Sequence, residues 1–281
     1  MILDGRALGK KIREELAVRV TSLRQNGIIP RLDVLVAAED PSSVTYVAMK
    51  QRWAEQIGII GTQWQIDGNT SESWLHDRID SLNEDPDVHG VLLQHPLPKH
   101  LDEPAALERL GAEKDVDGIS PQSLGRLLTG APGFRCATPL GMMRLLDEYG
   151  IECEGKHAVV VGRSVILGKP AALMLLERNA TVTICHSRTP NLKEVCRTAD
   201  ILVAAVGRAE MFDATYIKPG AVVLDAGYNK VEGRKGDVGD VDFARASEVA
   251  SAITPVPGGI GPMTVTMLLS NVVDAAEKRL A

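Results

Sequence analysis

Tyr46 and Lys50 stand four positions apart in a segment where Tyr46, Met49, Trp53 and Ile57 recur at helical spacing, so a phenol and an amine project from one helix face. An amine placed against apolar surroundings loses part of its proton affinity and can act as a base, whereas the same pair on an open surface does nothing. Gln94 ends an apolar run just before Pro96-Leu97-Pro98, and Asp117 lies in the glycine turn Lys114-Asp115-Val116-Asp117-Gly118. In an open parallel sheet, ligands bind at the carboxyl ends of the strands, which is where Gln94 falls. Asp117 taken alone reads equally well as a turn residue bonding its own backbone beside Gly118.

A second set of residues speaks of an anion. The run His157-Ala158-Val159-Val160-Val161 breaks at Gly162-Arg163-Ser164, turns, and opens after Gly168-Lys169-Pro170 into Ala171-Ala172-Leu173-Met174-Leu175-Leu176. A buried strand, a tight turn and a helix start form a phosphate cradle, because glycine admits backbone N–H groups and a helix start carries roughly half a positive charge. A dinucleotide fold usually carries an acid roughly 20 residues further on to hold the ribose hydroxyls of NAD. Here the next strand ends Ile184-Cys185-His186-Ser187-Arg188-Thr189, without a carboxylate. Hydroxyls and a guanidinium suit a 2′-phosphate, so Arg163, Ser164, Ser187 and Arg188 favour NADP over NAD. The plain alternative makes Arg188 a solvated side chain and Arg163 a residue of the helix start. Ala204-Ala205-Val206-Gly207-Arg208 and Asp225-Ala226-Gly227-Tyr228-Asn229 close two further predicted strands, putting Gly207 and Tyr228 at the same edge. The stretch Thr254-Pro255-Val256-Pro257-Gly258-Gly259-Ile260-Gly261-Pro262-Met263-Thr264 is too rich in glycine and proline for a plain connector, and exposes backbone groups in a set shape.

The elements that must position these groups alternate between strand and helix, which predicts an α/β protein with parallel sheets. Residues 5–26 carry Leu8, Ile12, Leu16 and Val20 on one helical face, Leu32 to Ala38 reads as a strand, and Asp40-Pro41-Ser42-Ser43 caps the helix bearing Lys50. A strand at Gly61–Ile66, a helix at Glu72–Asn83, a strand at Val88–Gln94 and a helix near Glu103–Leu110 follow. A helix around Leu140–Tyr149 leads into strands near 157–161, 180–185, 200–204 and 220–225. A last helix starts at Gly261-Pro262 and runs to about Lys278.

A chain of 281 residues with 44% hydrophobic and 24% charged residues has room for two domains, each with its own core. The net charge of −6 offers no general attraction to nucleic acid or acidic membranes, so an anionic ligand must be held locally. No apolar run reaches membrane-span length, and Met1-Ile2-Leu3-Asp4-Gly5 lacks the apolar core of a secretory leader. Cys136, Cys153, Cys185 and Cys196 show no metal-ligand spacing, so free thiols, no metal and a cytoplasmic location are expected.

Together the segments Ser43-x-x-Tyr46-Val47-x-x-Lys50, Gln94-x-Pro96-Leu97-Pro98, Lys114-Asp115-Val116-Asp117-Gly118, Thr138-Pro139-x-Gly141, Gly162-Arg163-Ser164 and Pro255-Val256-Pro257-Gly258-Gly259-x-Gly261-Pro262-x-Thr264 give the chain a specific likeness. It resembles the bifunctional methylenetetrahydrofolate dehydrogenase/cyclohydrolase family, the bacterial FolD type, over nearly its whole length. The resemblance implies two α/β domains around a cleft, the C-terminal one a Rossmann-like NAD(P)-binding domain. Its boundaries would be residues 1–137 plus 265–281 for the folate-binding catalytic domain and 138–264 for the NADP-binding domain. It also implies a homodimer, and one-carbon folate chemistry in two steps. NADP⁺ oxidises 5,10-methylenetetrahydrofolate to the methenyl cation, which water then opens to 10-formyltetrahydrofolate. By this likeness Lys50 handles protons in the hydrolysis, Gln94 orients it, Tyr46 packs beside the aminobenzoyl ring and Asp117 holds the pterin. Pro257, Gly258 and Gly259 join the folate site.

The chemistry suits those residue types. A cationic substrate repels an ammonium, which together with burial leaves Lys50 neutral and basic. One carboxylate at Asp117 accepts two parallel N–H bonds from the amino-pyrimidinone edge.

Three departures from the family pattern bear on the balance of the two activities. His95 replaces the usual leucine beside Gln94, where it could perturb the Gln94–Lys50 contact. Cys136-Ala137-Thr138-Pro139 stands for Pro-Cys-Thr-Pro, and Ser120-Pro121-Gln122-Ser123 for His-Pro-x-Asn. The competing readings are a relative with one activity weakened, a dehydrogenase of another small metabolite, and a nucleotide sensor without chemistry. The set Tyr46, Lys50, Gln94 and Asp117 argues against the sensor, which has no use for it.

Overall fold

The structure, a computed structural model, describes residues 1–37, 41–234 and 236–280, and of 41–47 the backbone alone. The chain divides into two compact units, one made of Lys11–Ala137 with Met267–Ala281 and the other of Met1–Lys10 with Thr138–Thr266. In chain order the first helix is α1 (Gly5–Gln25), followed by β1 (Leu32–Ala37), α2 (Pro41–Ile57), β2 (Gln63–Ile66), α3 (Glu72–Glu84), β3 (Gly90–Leu93), α4 (Glu103–Arg109) and α5 (Pro121–Thr129). Then come α6 (Ala137–Glu148), β4 (His157–Val161), α7 (Gly168–Glu177), β5 (Thr181–Cys185), α8 (Leu192–Cys196), β6 (Ile201–Ala204), β7 (Val222–Asp225), α9 (Phe243–Ala246), β8 (Ala252–Ile253) and α10 (Ile260–Glu277).

The Lys11–Ala137 unit is built on a parallel sheet of order β2-β1-β3. Every residue of β1 is buried, as a strand covered on both faces must be. Its single charge, Asp33, is satisfied by a bidentate pair with Arg31 at 2.8 and 2.9 Å and by the Trp64 indole N–H at 3.0 Å. Leu35, Ile66, Ile79, Leu82, Val91 and Leu93 share one core, which draws the sheet and α3 together. The expected strand over 88–94 shortens to Gly90–Leu93 because the N–H groups of His89 and Gly90 both donate to the Arg31 carbonyl, breaking the ladder. The expected cap residue Asp40 lies outside the described residues.

The other unit holds a parallel sheet of order β5-β4-β6-β7-β8. Its registers pair Val161 with both Cys185 and Ala204, and Ala204 with Asp225, so four strands end at one level. The first ten residues were expected with the Lys50 unit and group instead with this one. The reason is backbone pairing: the Leu3 N–H donates to the Ile253 carbonyl at 2.9 Å, the Ile253 N–H to Met1 at 3.0 Å, and the Arg6 N–H to Gly258 at 2.9 Å. The Asp4 N–H adds a bond to the Tyr149 hydroxyl at 2.8 Å.

Candidate active site

Lys50 sits on α2 with 8% of its surface exposed. Its Nζ donates to Gln94 Oε1 at 2.9 Å. Gln94 follows β3 directly, and its backbone N–H donates to the Leu35 carbonyl of β1 at 2.8 Å, so the sheet itself sets where the amide stands. Burial lowers the pKa of Lys50, and the negative charge of Asp117 opposes that shift without cancelling it. Asp117 is pushed the other way, its pKa raised by burial and by the Asp115 charge against the pull of Lys50 and His95. Amine and carboxyl are thus mutually dependent groups in one buried site.

The turn that presents Asp117 is tied down on every side. The Val91 N–H of β3 donates to the Lys114 carbonyl at 2.8 Å, and Asn271 Nδ2 donates to the Val116 carbonyl at 2.8 Å. Asp115, buried completely, accepts the Gly118 N–H at 3.0 Å and the Ser120 N–H at 2.7 Å. The turn-forming role open to Asp117 on sequence grounds therefore belongs to Asp115. Gly118 is required, at φ 70°, since a Cβ there would lie 2.5 Å from the Arg135 carbonyl carbon. Cys136, one of the departures from the family pattern, donates its Sγ–H to the Gly118 carbonyl at 2.8 Å, and Ser120 caps α5 by accepting the Ser123 N–H at 3.2 Å. Both substituted residues are thus built into the frame of this turn. The side chain of Tyr46 lies outside the described residues.

In the other unit the aligned strand ends put Gly162, which leads into Arg163 and Ser164, against Cys185, which leads into Ser187 and Arg188, the Gly162 N–H donating to the Cys185 carbonyl at 2.9 Å. Gly162 has φ 140° and packs so tightly that a Cβ would meet the Ala205 carbonyl oxygen at 2.3 Å. At Gly168, which opens α7, a Cβ would meet the Gly162 oxygen at 2.3 Å. Both glycines let backbone approach backbone at the start of α7, the geometry an anion cradle needs. Ser164 Oγ accepts the Gly168 N–H at 3.3 Å, while Arg163, Ser187 and Arg188 are exposed. This donor set fits a phosphorylated ribose.

Sequence reasoning passed over Asp240, which organises the next loop. Its carboxylate accepts the N–H groups of Val206 (2.6 Å), Gly207 (3.0 Å) and Arg208 (2.8 Å), and the Asn229 amide at 3.0 Å. Gly207 therefore has no backbone N–H left to offer a ligand. Tyr228 is 45% exposed and donates its hydroxyl proton to Asp237 at 2.5 Å. Pro257, Gly258 and Gly259, expected at the folate site with Lys50, belong to the unit of Thr138–Thr266. The Gly259 N–H donates to the Pro255 carbonyl at 2.8 Å, and Gly258 adopts φ 118° after the cis Val256–Pro257 bond. The missed signal for Asp240 was its sequence distance, 34 residues from the turn it fills.

Comparison with known proteins gives matches over nearly the whole chain. Residues 3–117 match the family model of the tetrahydrofolate dehydrogenase/cyclohydrolase catalytic domain, and residues 136–280 that of its NAD(P)-binding domain. The bifunctional protein FolD of Halalkalibacterium halodurans is 50% identical over 278 residues, covering 99% of each chain. The solved structure of the bifunctional enzyme FolD, methylenetetrahydrofolate dehydrogenase/cyclohydrolase, from Campylobacter jejuni superimposes with a TM-score of 0.97 at 43% identity over 99% of each chain. A Trypanosoma brucei methylenetetrahydrofolate dehydrogenase-cyclohydrolase, solved with NADP cofactor and inhibitor, does so with a TM-score of 0.93 at 36% identity over 100% of this chain and 98% of that one.

Proposed function

The chain belongs to the tetrahydrofolate dehydrogenase/cyclohydrolase family, and from that premise we propose how its residues divide the work. The enzyme oxidises 5,10-methylenetetrahydrofolate to the methenyl compound with NADP⁺, then hydrolyses it to 10-formyltetrahydrofolate. When bound, NADP⁺ accepts the hydride that leaves the methylene carbon. Residues 138–266 with 1–10 form the NADP-binding domain, and residues 11–137 with 267–281 carry the folate chemistry.

The observation that carries this reading is the buried Lys50–Gln94 bond at 2.9 Å beside a carboxyl that responds to the same charge. Asp117 accepts N–H bonds from the pterin edge and so fixes where the methenyl carbon lies. Lys50, whose proton affinity burial lowers, takes in its neutral form a proton from the water whose oxygen attacks that carbon. Returning that proton to N5 lets the N5–C bond break while the hydroxyl left on the carbon releases its own proton to solvent, so that its oxygen becomes the carbonyl of a formyl group on N10. Gln94 holds the amine in line through its side-chain oxygen. Arg163, Ser164, Ser187 and Arg188 hold the 2′-phosphate and the dinucleotide, Gly162 and Gly168 let its phosphates approach, and Gly207 and Tyr228 border it. Tyr46 packs against the aminobenzoyl ring, with Pro257, Gly258 and Gly259 shaping the rest of the folate site.

We extend the reading to a cytoplasmic homodimer. Four buried free cysteines suit a reducing compartment. β5 is an edge strand whose Ile184 is 44% exposed, and an unpaired edge of this kind accepts a second copy.

The test mixes enzyme and 5,10-methylenetetrahydrofolate with NADP⁺ or NAD⁺ in parallel. The expected outcome is NADPH formation followed by decay of the methenyl chromophore, with NAD⁺ much slower. Binding of NADP without turnover of the folate would leave a dehydrogenase of another metabolite as the better reading.

A further inference from the structure

Glu103 opens α4, and its carboxylate is shared between two residues on either side of Pro96. Oε1 pairs with His95 Nδ1 at 2.7 Å, and Oε2 accepts the Leu97 N–H at 2.8 Å. A carboxylate only accepts, so the proton in the first bond sits on Nδ1. The His95 carbonyl in turn accepts Gln94 Nε2 at 3.0 Å, and Gln94 Oε1 faces Lys50 at 2.9 Å. The His95 ring is 18% exposed and the Glu103 side chain 30%, so water competes only weakly for the pair.

We propose that the Glu103–His95 pair is a positioning device for the hydrolysis step, holding the His95 carbonyl so that Gln94 presents its oxygen and not its NH₂ to Lys50; the proposal rests on the role given to Lys50 above. The orientation of that amide decides whether the lysine can work. With its oxygen forward, Gln94 takes an N–H of the amine and leaves the lone pair aimed elsewhere, free for a proton. Turned over, the NH₂ would donate to that lone pair and occupy the base. What prevents the turn is the Nε2 bond to a carbonyl, and what holds that carbonyl is the imidazole on Glu103. A leucine at position 95 has no atom able to make this bond. In this reading His95 supports the Gln94–Lys50 contact instead of perturbing it, because its ring turns to α4.

His95→Leu, Glu103→Gln and His95→Asn test the proposal, with Lys50→Met as reference. In His95→Asn the side-chain amide nitrogen takes the place of Nδ1, and Glu103→Gln keeps an acceptor for the Leu97 N–H while losing the charge. For His95→Leu we expect methenyl hydrolysis kcat to fall about tenfold, the consequence of losing one charge-assisted bond. KM for the methenyl substrate, KM for NADP and Tm should stay near wild type. Glu103→Gln should fall severalfold, and His95→Asn should recover most of the rate. Unchanged hydrolysis in His95→Leu, or a loss that His95→Asn does not recover, overturns the positioning role. If Lys50→Met itself retains hydrolysis, the underlying assignment of Lys50 fails. If Lys50→Met is dead and His95→Leu is normal, the inference alone fails.

Discussion

Lys50 Nζ and Gln94 Oε1 meet at 2.9 Å although 44 residues separate them in sequence. The bond joins a helix to the end of a strand, and each partner is placed by a different part of the sheet. Parallel connectivity makes this possible: α2 leaves the carboxyl end of β1, and β3 ends beside it with Gln94 bonded to Leu35. Function here depends on two strand ends kept in register more than on any local motif.

That geometry predicts the pH dependence of hydrolysis. The neutral amine is the working base, so kcat should rise with pH and level off above the pKa of Lys50. Burial places that midpoint below the usual lysine value of roughly 10.4. The Asp117 charge favours the ammonium, so removing it in Asp117→Asn should move the midpoint to lower pH, although substrate binding suffers. Lys50→Arg should lose hydrolysis at every pH while binding NADP normally. Stopped-flow decay of the methenyl chromophore, corrected for the uncatalysed reaction, reads both. A midpoint that rises in Asp117→Asn would contradict the charge coupling.

Cofactor choice is open to test at the end of β5. Arg188 and Ser187 are exposed where the strand ends beside Gly162, with no carboxylate to grip a free ribose hydroxyl. A guanidinium–phosphate bond contributes ~1.5–3 kcal/mol, so Arg188→Ala should raise KM for NADP about 10–100-fold and leave KM for NAD nearly unchanged. Ser187→Asp adds repulsion toward the 2′-phosphate and should favour NAD. Equal effects on both nucleotides would move the phosphate site elsewhere.

The parts of this molecule open to sequence reading were those whose signals are local. The Gly162 loop and the strand ends at Gln94 and Ala204 announce themselves by apolar runs that stop at glycine or proline. Asp115 and Asp117 could not be separated, because which carboxylate takes the Gly118 N–H depends on the fold of the turn. Asp240 gave no signal because it acts on Val206, 34 residues away, and Glu103 gave none because only the turn of the chain through Pro96 brings its carboxylate to His95 and Leu97. α5 was overlooked although Ser120, Pro121 and Gly130 mark both its ends, Gly130 at φ 71°. β8 is two residues long, too short for any periodicity. The placement of residues 1–10 rests on backbone bonds to Ile253 and Gly258, which no side-chain pattern encodes.

Two glycines separate packing from helix propensity. Gly168→Ala sets a Cβ 2.3 Å from the Gly162 oxygen, and the clash is with backbone that cannot swing away. It should lower stability by about 1–3 kcal/mol and raise KM for NADP. Gly125, exposed within α5 and with no atom within 4 Å of its would-be Cβ, gives the opposite result. Gly125→Ala should gain about 0.5–1 kcal/mol with both activities unchanged. Urea denaturation compares the two directly.

Asp225 links stability to pH beneath the cofactor loops. It is 3% exposed, and accepts the N–H groups of Gly227 (2.9 Å), Asp240 (3.0 Å) and Val241 (3.0 Å). Burial, helped by the Asp240 charge, outweighs those donors and pushes its pKa up to about 6. In the unfolded chain the group titrates near ~3.9. Between these values the native state binds the proton and the unfolded state does not, so lowering the pH through about 6 adds stability from this residue. The carboxylates paired with arginine, such as Asp80 and Asp147, are lowered and act in the opposite sense, so the total curve conceals the effect. The difference between wild type and Asp225→Asn isolates it, because asparagine does not titrate. On passing from pH 7 to pH 5, that difference should shift by about 1 kcal/mol in favour of the wild type. A difference that stays flat over this range would mean that the three N–H donors hold Asp225 ionised despite its burial.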